Sequence, residues 1–347
     1  MKERVVWVDY VKAFCIFFVV LGHSHVSHPI KIFIYAFHIP TFFFISGLFF
    51  SFDNYPTYFS FLKKRITQLL LPYLFFNIIT YLFWLFIGRN FGLDAENQIS
   101  PLIPLWGIFY GSPVCHFLEH CIPLWFIICL FSVENIYYVV FYKVKTKFMN
   151  LFFIFLFAIL GYIDYKYNNF VFPWGINVVL AMICFYGVGS FFKIDHFTHK
   201  KTSNNRLFLY LLFSLILLIL FAGFNGKIEV AYRDYNNYIY FFIAATFGIL
   251  FIIQFCKLLF RIFGHINFLQ FIGKNTLIIL ALHSIAGSFI KAFFVYVLNQ
   301  PLSVFDNNLY AFIYATLSII ILIPVIFFIN KYIPFLIGKK THEISEK

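Results

Sequence analysis

The sequence predicts an all-α membrane protein, a bundle of about ten transmembrane helices, and three observations carry that expectation. Of the 347 residues, 62% are hydrophobic and only 12% are charged, with a mean hydropathy of +0.86, far outside the range of a soluble globular domain. Apolar stretches of about 16 to 23 residues recur along the chain, the length a helix needs to cross roughly 30 Å of hydrocarbon at 1.5 Å per residue. The basic residues fall in alternate connecting loops. The alternation of a membrane β-barrel is absent.

The expected spans cover residues 5–26, 30–50, 68–87, 122–141, 148–163, 172–192, 207–224, 238–256, 276–298 and 309–329. The fifth is the shortest, and losing it would reverse the sidedness of everything that follows. With the N-terminus in the cytoplasm, the inner loops hold Lys2, Arg4, Lys12, Lys63, Lys64, Arg65, Lys143, Lys145, Lys147, Lys193, Lys200, Lys201 and Arg206. Lys257, Arg261, Lys274, Lys331, Lys339, Lys340 and Lys347 join them, which makes 20 of the 26 Lys and Arg residues. Lys31, Arg89, Lys166, Lys227, Arg233 and Lys291 are left outside. This bias places both termini in the cytoplasm. It also accounts for the net charge of +12 as topology, so no nucleic-acid partner is expected.

Asp9 and Lys12 interrupt the first apolar run and no small-residue cleavage site follows it, so the first helix is expected to remain in the protein. No internal repeat or low-complexity linker is visible, and residues 1–347 are expected to form a single membrane domain. The longest loop, residues 88–121, contains "PLIPLWGIFYGSP", too short to span and apolar enough for a re-entrant or interfacial segment. Four cysteines, Cys15, Cys129, Cys184 and Cys256, fall in or beside spans, where a thiol packs as a small apolar group. Cys115 and Cys121 share an outer loop, and an oxidising periplasm would permit a disulfide between them.

Ten residues separate Lys12 from His23 in "KAFCIFFVVLGH". On a helix this offset is about three turns plus some 20°, so both lie on one face, roughly 16 Å apart along the axis. Asp9 joins the stripe one turn below Lys12. Ionisable groups inside a span cost about 2.5 to 3.5 kcal/mol each on insertion scales, so such a stripe normally faces a polar cavity. The blander reading has Lys12 and Asp9 as an interfacial pair snorkelling at the inner surface, with His23 at the outer one.

"VDYVKAFCIFFVVLGHSH" followed by "FHIPTFFFISGLFF" resembles the start of the acyltransferase 3 family, integral-membrane O-acyltransferases of surface glycans and similar acceptors. The family's hallmark of a basic residue, ten intervening residues and a histidine reads here as Lys12 and His23, preceded by Asp9. The basic residue is more often arginine in the family, and lysine lacks its bidentate fork for phosphate or carboxylate. "KKRITQLLLPYLFF", "IPLWFIICLF" and "FIGKNTLIILALHS" are similar to later family segments, in the same order.

The resemblance implies acetyl-CoA as acyl donor and co-substrate, a glycan or lipid-linked saccharide as acceptor, and a place in the bacterial inner membrane. No metal is expected. Moving an acetyl group from a thioester to a hydroxyl requires a base and donors for the developing oxyanion. His23 suits the base, since an imidazole with an ordinary pKa near 6.5 accepts a proton at working pH; an acyl-histidine relay is a second route. Lys12, nearer the cytoplasm, is placed to hold a coenzyme A phosphate or line the donor's path. Lys64 and Arg65, with Lys63, either meet the nucleotide end or act as a positive-inside anchor, and Arg65 matches a family position.

Other polar residues carry two readings each. His38 in "FHIP" either faces His23 across the short turn or holds a structural hydrogen bond. Ser46 and Gly47 suit close helix packing more than catalysis. Trp125 belongs to an aromatic belt or to a substrate platform. His283 sits inside a span and needs a partner, structural or functional. His25 and His28 read as solvated turn residues.

"CHFLEHC" places His116, Glu119 and His120 in the His-x-x-Glu-His pattern of inverted zinc peptidases. A peptidase would need a further ligand and a soluble catalytic domain, and neither is visible, so adventitious metal binding or an acceptor-side carboxylate fits better. A glycan or small-molecule transporter without acyl transfer is the main rival function, and it predicts inverted repeats with paired broken helices; a non-catalytic membrane scaffold is the other. The acceptor sugar, acyl chain and oligomeric state are not fixed by the sequence.

Overall fold

The computed structural model describes residues 4–199 and 202–339, without the side chains of residues 93, 195, 196, 198 and 199. Lys2, Lys200, Lys201, Lys340 and Lys347, assigned above to the inner side, lie outside the described residues. Among the described residues there is no strand, only an isolated antiparallel bridge between Glu229 and Asp234.

The long helices are α1 (Val6–Gly22), α2 (His28–Leu48), α3 (Tyr58–Asn90), α4 (Ile122–Phe141), α5 (Lys147–Tyr167), α6 (Pro173–Ile194), α7 (Asn204–Asn225), α8 (Tyr238–Phe263), α9 (Thr276–Val297) and α10 (Asn308–Tyr332). Nine of them, α2 to α10, are long and apolar enough to cross a membrane. The remaining helix, α1, has 17 residues, about 26 Å at 1.5 Å per residue. The fifth helix is longer than its sequence signal indicated: the chain continues through Asp164 to Tyr167, giving 21 residues. Thr146 caps its start by accepting from the Met149 amide at 3.2 Å.

Prolines account for the irregularities in α2 and α3. Pro40 can neither donate an amide nor tolerate the carbonyl four residues before it, that of Ala36. Accordingly α2 is interrupted between His28–Tyr35 and His38–Leu48, with Phe37 at φ −141°. Pro72 acts likewise on the carbonyl of Gln68, and the ladder widens into a π-turn over Ile66–Leu70.

The chain forms two compact units. The first holds residues through Phe50, then Cys184–Thr276 and Ser303–Thr316. In it α7 and α8 form an antiparallel pair, and α1 packs against α8 and the short helix Asn267–Lys274. Glycines permit the closest approaches: a Cβ at Gly47 would lie 2.0 Å from the Tyr186 carbonyl oxygen, and one at Gly189 would lie 2.2 Å from that of Phe44. This is the small-residue packing expected of Gly47.

The second unit holds Ser51–Ile183, Leu277–Leu302 and the chain from Leu317. Its centre is α4, buried along most of its length. The apolar loop segment forms a nine-residue helix, Leu102–Tyr110, whose Leu102, Ile103, Leu105, Trp106 and Phe109 side chains are exposed. Its other side is anchored where Gly107 lies against the Phe117 backbone. An apolar exposed face on a short helix is what an interfacial segment requires.

Candidate functional site

In the first unit, α1 carries Asp9 and Lys12, ends at Gly22 and so stops short of the residue 26 expected from the sequence, leaving His23 as its C-terminal cap. Asp9 is buried, and its partner is Arg4, not Lys12: the guanidinium donates from Nε to Oδ2 at 2.7 Å and from Nη2 to Oδ1 at 3.0 Å. The interfacial Asp9–Lys12 pair is thereby corrected. The two-pronged Arg–carboxylate bond is geometrically better than a single ammonium contact. Lys12 is half-buried, its Nζ 5.9 Å from the centre of the Phe49 ring. The backbone of Asp9 is fixed from the other side by Gly273, where a Cβ would lie 2.0 Å from the Asp9 carbonyl oxygen.

His23 follows the last turn of α1 with its side chain exposed and its amide donating to the Val19 carbonyl at 3.2 Å. Tyr35 holds the preceding residue: its hydroxyl donates to the Gly22 carbonyl at 3.1 Å, and a Cβ on Gly22 would collide with its ring at 2.7 Å. The His38 ring stands edge-on to Tyr35 with centroids 5.2 Å apart. His38 itself donates from Nδ1 to the Ile34 carbonyl at 2.6 Å, an acceptor it shares with the Phe37 amide at 3.4 Å. The structural hydrogen bond anticipated for His38 is therefore present, and it leaves Nε2 as the lone-pair nitrogen. Ser46 is half-buried one residue before the Gly47 crossing.

The loop joining α7 to α8 adds groups that sequence reasoning passed over. Lys227 pairs with Glu229, and its ammonium lies 5.6 Å from the Tyr35 ring centre. Lys31 interacts electrostatically with both. The loop is built rather than loose: Glu229 and Asp234 exchange backbone bonds of 2.8 and 3.1 Å. Asn225 donates to the Tyr235 carbonyl at 3.1 Å and accepts from the Asn237 amide at 2.8 Å. The turn-forming run "NGKIEVAYRDYNN" was the available signal. His25 is exposed and pairs with Asp306 at 3.1 Å, and His28 is exposed at the start of α2.

In the second unit, Arg65 is engaged by a residue that the sequence did not single out. Its Nε meets Glu134 Oε2 on α4 at 2.8 Å, with the side chains 16% and 4% exposed. Its guanidinium also lies over the Phe61 ring at 5.2 Å and the Tyr55 ring at 5.7 Å. Lys64 is exposed, 5.1 Å from the Tyr55 ring centre, and Lys63 is exposed beside it. Trp125 is buried in this unit and so has no place in a lipid-facing belt. His283 is buried and donates from Nδ1 to the Ile279 and Leu280 carbonyls at 3.1 and 2.9 Å.

The His-x-x-Glu-His residues part company. His116 pairs with Glu119 at 2.8 Å in a tight turn where Cys115 and His116 both have positive φ. His120 turns instead to Asn77 on α3, Nε2 to Oδ1 at 2.9 Å. Among the described residues, no group of three or more His, Cys, Asp or Glu side chains is placed to hold a metal. Cys115 and Cys121 are both free, the first exposed and the second buried with its thiol 3.4 Å from the Ala281 carbonyl. Burial holds the Cys121 thiol up to about 12 and the His120 imidazole down to about 4.

Among the described residues, nine helices are long and apolar enough to cross a membrane and no strand is present, which, with the ionisable groups lodged along the helices, defines a multi-pass membrane protein. The chain belongs to the acyltransferase 3 family, whose acyltransferase domain matches residues 5–327. It is a membrane acyltransferase, acting on an acyl donor and an acceptor. No curated protein and no solved structure matches the chain.

Proposed function

We propose that the protein moves an acetyl group from cytoplasmic acetyl-CoA to a hydroxyl of a glycan or lipid-linked saccharide on the extracytoplasmic side of the membrane. What supports this reading is the placing of Lys12 within α1 and of an exposed His23 at the C-terminal cap of the same helix, within a chain of an acyltransferase family. Both termini lie in the cytoplasm on this reading, and the membrane is a bacterial inner membrane.

The acceptor hydroxyl oxygen forms a bond to the thioester carbonyl carbon while the neutral His23 imidazole takes its proton. The tetrahedral intermediate then breaks its carbon–sulfur bond. The coenzyme A thiolate leaves and takes the proton from the imidazolium, which restores the base and balances the charges. Lys12 lines the donor's path or holds a coenzyme A phosphate, and Lys64 is a candidate for the nucleotide end. Arg65, held by Glu134 and by Gln68, serves it too. Tyr35, which fixes Gly22, is a positioning residue for His23. Asp9 and His38 hold the helices that carry the site, Ser46 lines it, and Trp125 and His283 line the substrate path of the second unit.

The test is transfer of radiolabelled acetyl from acetyl-CoA in membranes containing the protein and host lipid-linked glycans. Label entering glycan supports the reading. Glycan crossing the membrane without label would favour the transporter.

A further inference from the structure

The second unit contains a buried imidazole with one nitrogen committed and the other open. Asn77 is fully buried, and its Nδ2 donates to the Tyr73 carbonyl at 2.8 Å. That bond sets the amide's orientation, so Oδ1 is the atom that faces His120 and Nε2 of His120 must carry the proton that it accepts at 2.9 Å. The tautomer is thus fixed, and Nδ1 of His120 bears a lone pair. This nitrogen is buried and has no hydrogen-bond partner, in a residue 7% exposed.

A buried acceptor left unpaired is destabilising, and the surroundings here do not relieve it. Tyr81 stands edge-on to the imidazole with centroids 5.7 Å apart, while its hydroxyl is already spent on the Pro101 carbonyl at 3.0 Å. The adjoining Cys121 thiol is directed to Ala281. An Asn that holds an imidazole by one nitrogen and leaves the other open is an arrangement for presenting an acceptor to something that arrives.

We infer that His120 Nδ1 is a ligand-binding acceptor in the second unit, receiving a hydrogen bond from an O–H or N–H group of one of the two substrates, with Asn77 as its positioning residue. The naming of the two substrates rests on the acetyl-transfer reading. The pantetheine arm of acetyl-CoA and the saccharide hydroxyls of the acceptor both offer that chemistry, and the experiment separates them.

Purified protein in lipid nanodiscs is titrated separately with acetyl-CoA and with host lipid-linked glycan, and the apparent affinity is read from the rise in melting temperature. His120→Gln keeps a donor at the Nε2 position for Asn77 and removes Nδ1, whereas His120→Asn keeps an acceptor at the Nδ1 position. The inference expects His120→Gln to weaken one of the two ligands about tenfold while leaving the other unchanged, with His120→Asn restoring most of the loss. The ligand affected identifies the source. Equal binding of both ligands by wild type and His120→Gln would overturn the inference and leave an ordinary bound water as the occupant. So would equal losses in both variants, or no response of the wild type to either ligand. A wild type that responds to a ligand yet transfers no label would instead sink the acetyl-transfer reading alone.

Discussion

The Arg65 guanidinium and the Glu134 carboxylate meet at 2.8 Å, one from α3 and the other from α4, with both side chains largely out of solvent. Removing one member of such a pair strands the other, at a cost of about 3 to 5 kcal/mol. Arg65→Ala is therefore expected to lower the melting temperature and the folded yield in detergent. Arg65→Met combined with Glu134→Leu recovers most of the loss, since a packed apolar pair avoids the desolvation penalty. Thermal unfolding of the single and double variants checks this, and equal instability in both would contradict it.

Lys64 has no such anchor. Lys64→Ala is expected to leave the melting temperature unchanged and to raise the apparent KM for acetyl-CoA about twofold to fivefold, the range of an exposed charge contact. Raised salt in the assay should shrink the difference between the variant and wild type.

Close helix crossings make a sharper steric prediction. Gly47→Ala and Gly189→Ala each place a methyl group within 2.0 to 2.2 Å of a backbone oxygen, which forces the helices apart at a cost of about 2 to 3 kcal/mol or more. Gly223 has nothing within 4 Å of its Cβ position, so Gly223→Ala, in the last turn of α7, should be neutral or stabilising by up to about 0.5 kcal/mol. Melting temperatures of the three variants provide the comparison.

Protonation of His120 sets a pH dependence. Burial holds its pKa down to about 4, below the ordinary value near 6.5. The unfolded chain therefore binds the proton more readily between those values. The contribution of His120 is fully present above about pH 6.5 and is lost as pH falls, amounting to about 2 kcal/mol by pH 5. Wild type should lose stability between pH 7.5 and 5, and His120→Gln should lose less. Parallel curves for the two proteins would contradict the assignment.

The spans were legible because hydropathy and length are local quantities: α7 was expected at residues 207–224 and runs over Asn204–Asn225. The helix that carries Asp9 and Lys12 was legible for the same reason, although it ends at Gly22 and leaves His23 as its cap. What the sequence concealed are partnerships made across the fold. Glu134 reads as an isolated acid in an apolar helix, and its partner is on α3. The His-x-x-Glu-His spacing points to a shared ligand, yet His120 bonds Asn77, 43 positions back, while His116 and Glu119 turn to each other. The break in α2 within the span expected at residues 30–50 was not anticipated, although Pro40 was the available signal, and the bond from His38 to the Ile34 carbonyl follows only from the folded geometry.

The role given to His23 faces its most direct test in acetyl transfer from radiolabelled acetyl-CoA to lipid-linked glycan by wild type and His23→Ala, in membranes holding equal amounts of folded protein. Removal of the general base should lower the transfer rate about a hundredfold or more at equal amounts of folded protein. Transfer by His23→Ala at the wild-type rate would contradict the mechanism.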